Sequence, residues 1–121
     1  MKKNNIEVIE LMFDVFDTLK KYCDNYREYI ENNENDIIMQ QQLRDGIISR
    51  IQQLCELSYE IGRELENEHD YIDFGALRKI RNVISHNYEG IEDDVIDYLI
   101  YGGIEDLEFQ FKNLYKNLKE N

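Results

Sequence analysis

The chain contains no proline, where average usage would place roughly 6 in its 121 residues, so long unbroken helices are the default expectation. Its two cysteines, Cys23 and Cys55, are too few for a disulfide scaffold or a four-thiolate zinc site. Both fall on apolar stripes and read as small buried hydrophobes with free thiols, as in a reducing cytoplasm. No 18 successive apolar residues occur, which excludes a helical membrane span. Acidic residues in Ile6-Glu7-Val8-Ile9-Glu10 interrupt any signal-peptide core. A glycine-rich phosphate loop, a Gly-x-Ser-x-Gly turn and a zinc-protease helix are all missing. Positive charge is scarce, with 14 Lys plus Arg against 26 Asp plus Glu, a net charge of -12. Such a field disfavours general coating of nucleic acid.

What is present is helical. A hydrophobic share of 42% supports a packed core, and the length suits a single domain spanning residues 1–121. Ile6, Ile9, Phe13, Phe16, Leu19, Cys23, Tyr26 and Ile30 recur at steps of three and four, which predicts a first helix of about seven turns. Residues 31–36 lose the period and read as a polar turn. A second stripe runs through Ile47, Ile51, Leu54, Ser58, Ile61 and Leu65, and residues 66–72 read as a connector. Asp73 is the expected N-cap of a third helix carrying Leu77, Ile80, Ile84 and Tyr88, with Gly90 ending it. Asp93 and Asp94 open the last stretch, which Gly102-Gly103 should kink. The expected fold is all-α, an up-and-down bundle of four to five helices.

The acidic total hides one exception. The 15 residues from Phe74 to Tyr88 hold no acid and carry Arg78, Lys79 and Arg81, a local +3. Within them stands Arg81-Asn82-Val83-Ile84-Ser85-His86-Asn87-Tyr88, with one of only two histidines. Asn82 and His86 are four apart on one helical ridge, so the amide is placed to orient the imidazole. Arg81 and His86 are five apart, about 140° around a regular helix, so one helix does not easily aim both at one atom. Metal-free RNA cleavage needs a base for the 2′-hydroxyl, an acid for the leaving oxygen and a cation for the phosphorane. Histidine titrates near neutral pH, and arginine offers a planar, permanently charged fork. A twofold dimer joined through these helices would bring two of each to one cleft. The other histidine, His69, lies in Glu66-Asn67-Glu68-His69, a di-iron ligand spacing that requires a second copy, but Val83 precedes His86 by three. No metal and no cofactor are expected.

Arg81, four residues, His86, one residue and Tyr88 together resemble the motif of HepT-like toxins in the HEPN superfamily. The residues Ile51 to Leu57 resemble the family's long second helix, with Cys55 where a glycine is usual. The resemblance extends over nearly the whole chain. It implies a HEPN-like bundle that forms a homodimer through the motif-bearing helices. It also implies a metal-independent endoribonuclease acting as the toxin of a toxin–antitoxin pair. Arg81 and His86 would be catalytic, Asn82 would support His86, and Arg78 and Lys79 would help bind RNA. The implied partner is a minimal nucleotidyltransferase antitoxin that attaches AMP to Tyr88, adding bulk and negative charge beside a phosphate-binding cleft. The alternative is an inactive helical scaffold that binds such a partner or a nucleotide.

Overall fold

The computed structural model describes residues 4–86 and 91–120, with the side chain of Ile91 left aside. Among these residues there are six α-helices and no strand: α1 (Asn5–Glu31), α2 (Ile37–Tyr59), α3 (Arg63–Glu68), α4 (Phe74–His86), α5 (Ile91–Tyr98) and α6 (Ile104–Glu120). The fold is an all-α HEPN-like bundle. Helix α1 packs along α2 on one side and α6 on the other, while α4 lies against α2.

Local chemistry sets the helix ends. Asn4 accepts a hydrogen bond from the backbone N–H of Glu7 at 2.8 Å, and Asp36 accepts one from Met39 at 3.1 Å, so both act as N-caps. The turn between them is pinned where the Tyr29 hydroxyl donates to the Asp36 carbonyl at 3.0 Å. The stripe of α1 is corrected at its end, where Tyr29 is buried and Ile30 is exposed, while Ile6 and Phe13 are only half-buried.

The second stripe is also interrupted. The 4-3-4-3-4 spacing predicts one helix through Leu65, yet α2 stops at Tyr59 and the chain turns through Glu60, Ile61 and Gly62 into α3. Ile61 and Leu65 still reach the core, so burial persists across a break that periodicity does not register. The predicted connector therefore shortens to residues 69–73, and Glu66 and Glu68 are helical.

The core is continuous. Phe16, Leu19, Leu54, Leu77, Leu99, Leu107 and Phe111 are all at most 2% exposed. Phe111 meets Phe16 at 6.1 Å and Phe74 at 5.8 Å between ring centroids, tying α1, α4 and α6 together. Cys23 and Cys55 are buried and unbridged in it, as the stripes require.

Between α5 and α6 the backbone leaves regular helix in a wide π-type turn, Leu99–Gly103, where Gly102 takes φ 112°. That is left-handed territory that suits glycine. At Gly103 a β-carbon would stand 2.5 Å from the Tyr98 carbonyl oxygen, too close for another residue without a backbone shift. The break frees the Ile100 carbonyl, which accepts from the Arg27 Nε–H at 2.8 Å. The kink expected at Gly102-Gly103 is thus present, with a side chain of α1 bracing it.

Candidate functional site

Helix α4 carries the acid-free segment. Its entry is held firmly. The Asp73 carboxylate accepts from the backbone N–H of Ala76 at 2.9 Å, completing the predicted N-cap. The Asp73 N–H in turn donates to the Gln110 side-chain oxygen at 2.7 Å, and Gln110 is steadied by Asp106. One turn further, the Cys55 thiol donates to the Leu77 carbonyl at 3.4 Å. Phe74, Leu77 and Ile80 are buried, so the first two turns are fixed against α6 and α2.

The second half of α4 faces outward. Val83 and Ile84 are half-buried, while Asn82, Ser85 and His86 are exposed. His86 is the last described residue of α4. Asn82 lies one turn before it. Asn87, Tyr88, Glu89 and Gly90 lie outside the described residues, so the predicted modification site at Tyr88 and the helix stop at Gly90 have no structural description.

Arg81 is half-buried, and its guanidinium lies over the ring of Tyr59 at 4.3 Å from the centroid. An arginine stacked this way keeps its N–H fork at the ring edge, where it remains available to an anion. Three other arginines are engaged with carboxylates, while Arg50 donates to the Gln53 side-chain oxygen at 3.1 Å. Arg27 pairs with Asp24 at 3.4 Å, and Arg44 with Asp93 and Glu92. Arg78 pairs with Glu66 at 2.6 Å. Among the described residues no carboxylate pairs with Arg81. Lys79, the third cation of the segment, is exposed.

Sequence reasoning singled out one tyrosine, Tyr88, and missed Tyr59. Tyr59 closes α2, 22 residues before Arg81, and nothing in its neighbourhood distinguishes it from eight other tyrosines. Only the packing of α4 on α2 brings the ring beneath the guanidinium. The same packing explains Cys55. Burial pushes its thiol up to about 12, with Arg81 pulling weakly the other way, so it stays protonated and can donate to Leu77.

The segment after the motif is positioned from α2. Arg44 reaches the first turn of α5 through Asp93, receives the Tyr26 ring beneath it at 5.9 Å, and donates to the Tyr26 hydroxyl at 3.1 Å. Helix α5 opens with Glu92, Asp93 and Asp94, which suit a helix N-terminus. Arg44 therefore holds the first turn of α5 against α2.

His69 sits apart from this constellation. Its Nδ1 lies 3.2 Å from the Tyr71 hydroxyl, which accepts from Asn117 at 2.9 Å. Glu66, the other half of the Glu-x-x-His spacing, is paired with Arg78. Among the described residues no group of three or more His, Cys, Asp or Glu is arranged to hold a metal ion, and no helix is long and apolar enough to cross a membrane.

No curated protein and no solved structure matches the chain. The family described as Ribonuclease HepT-like matches residues 19–114, which includes α2 to α5, the second half of α1, most of α6, and the whole Arg81-to-Tyr88 motif. The match covers well over half of the chain, and its fold is the one expected for that group: this protein belongs to the Ribonuclease HepT-like family of the HEPN superfamily.

Proposed function

We propose that this single-domain protein is the toxin of a toxin–antitoxin pair and cleaves RNA without a metal, using Arg81 and His86. The observation that carries the reading is Arg81: a guanidinium stacked on Tyr59, with no carboxylate partner among the described residues, in the acid-free segment of an otherwise acidic chain. His86 stands five residues on, exposed on the same helix. In this mechanism His86 takes the proton of the 2′-hydroxyl, whose oxygen attacks the adjacent phosphorus. Arg81 stabilises the phosphorane as negative charge builds on its oxygens. The 5′-oxygen leaves with a proton from a second histidine, and a 2′,3′-cyclic phosphate remains on the upstream fragment. Asn82 orients His86, while Arg78 and Lys79 attract the RNA backbone.

The second histidine comes from a second copy of the chain. On one helix Arg81 and His86 are separated by about 140° and about 7.5 Å of rise, and the concerted step needs an acid and a base together. A twofold dimer joined through α4 supplies both. The anchoring of α4 supports this geometry, since its buried first half would hold the exposed second half rigidly toward the partner.

Neutralisation falls to a minimal nucleotidyltransferase that attaches AMP to Tyr88. Each AMP brings bulk and a phosphodiester charge to the motif, which would compete with RNA for its cations and repel the RNA backbone. Labelled RNA incubated with purified protein in excess EDTA tests the catalytic reading: fragments ending in 2′,3′-cyclic phosphate are expected, and intact RNA would overturn it. Co-expression with a nucleotidyltransferase followed by peptide mass spectrometry tests the regulatory one. Added AMP on Tyr88 is the expected outcome, and its absence from that peptide would refute the assignment.

A further inference from the structure

The break between α2 and α3 leaves a cleft of about 130 Å³ on the flank of α4, lined by Tyr59, Arg63, Glu66, Phe74 and Arg78 among others. It adjoins the proposed catalytic arginine directly, because the Tyr59 ring that lines the cleft also supports Arg81. Three arginines, Arg63, Arg78 and Arg81, therefore gather around one tyrosine in a chain of net charge -12. Arg63 is exposed and, among the described residues, has no carboxylate partner. Tyr59 is 64% exposed, so part of its ring is open to a stacking partner. The cleft is well below the roughly 300 Å³ of a pocket that encloses a free small molecule. It suits one group of a longer polymer, gripped from the side.

We infer that this cleft is a substrate-gripping subsite for single-stranded RNA, in which Arg63 and Arg78 hold a backbone phosphate flanking the cleaved one and Tyr59 receives a neighbouring base. The inference rests on the RNA-cleaving reading given above. Guanidinium forks match phosphate oxygens, and an aromatic face accepts any base without sequence choice. Glu66 is the one acid on the cleft, and its ion pair with Arg78 at 2.6 Å gives it a definite role. It acts as an internal competitor that occupies Arg78 until a phosphate replaces it. Removing its charge should therefore strengthen RNA binding, which a purely structural salt bridge would not do.

The test is a fluorescence anisotropy titration with a labelled single strand of about 12 nucleotides carrying 2′-O-methyl groups, which cannot be cleaved by 2′-hydroxyl attack. Arg63→Ala is expected to weaken binding about five- to tenfold and to lower the salt slope by about one. Glu66→Gln should tighten it about threefold. Both side chains are outside the core, and unchanged thermal melting confirms that the variants fold. Equal affinity in the parent, R63A and E66Q, or weaker binding by E66Q, would overturn the inference. Cleavage of unmodified RNA by the parent protein is scored separately: its loss defeats the catalytic reading, whereas cleavage with identical affinities defeats only the subsite.

Discussion

At the scale of single residues, two kinds of group behave oppositely on one core. The Arg81 guanidinium is held at the surface of the bundle by an aromatic face, which restricts its motion without neutralising it. The thiols of Cys23 and Cys55 are sealed inside, where burial pushes each from 9.0 up to about 12. The thiols make alkaline stability a measurable property. Below pH 9 they are protonated in both folded and unfolded chains, and their contribution is fully present. Above it the unfolded thiols ionise while the folded ones hold their protons, so stability falls as pH rises toward 12. The slope is about 1.4 kcal/mol per pH unit for each thiol. Lys20, raised by its hydrogen bond to Glu108, also loses stabilisation on the alkaline side. Melting temperatures should therefore hold level from pH 8 to about 9 and fall from there to 10.5, less steeply in Cys23→Ala. A flat profile would contradict the sealed thiols.

At the scale of elements, α4 is the helix on which the proposed function depends, and its two halves are treated differently. The first half is capped by Asp73, clasped through Gln110 and bonded to Cys55. The second half projects the motif. Replacing Asp73 by alanine removes the cap and should cost about 1 kcal/mol, read as a lower urea midpoint with an unchanged slope. Little or no change would mean that packing on α6 alone fixes the entry of the helix. This cap was legible in the sequence, as were the turn before α2 and the kink at Gly102-Gly103, because each depends on local backbone chemistry. The end of α2 at Tyr59 was not. Ile61 and Leu65 keep the hydrophobic period across the break, so spacing alone could not separate one helix from two. The pairing of Tyr59 with Arg81 was hidden for a related reason, since it arises from the contact of two helices rather than from a spacing within one.

At the scale of the whole molecule, charge and fold divide the work. The acidic surface disfavours indiscriminate binding of RNA, while in the proposed reading the acid-free helix and the arginines beside it give phosphate a restricted place to dock. One copy carries one motif histidine, His86, exposed on α4. A second copy would complete the acid–base pair and double the local positive charge. This is why a chain of 121 residues is read as half of a nuclease site. The paired loss of activity in single-site variants tests that claim most directly. In EDTA, the parent protein should cleave RNA, and Arg81→Ala and His86→Ala should each reduce the rate at least about 100-fold while melting as the parent does. Cleavage at the parental rate in either folded variant would contradict the account.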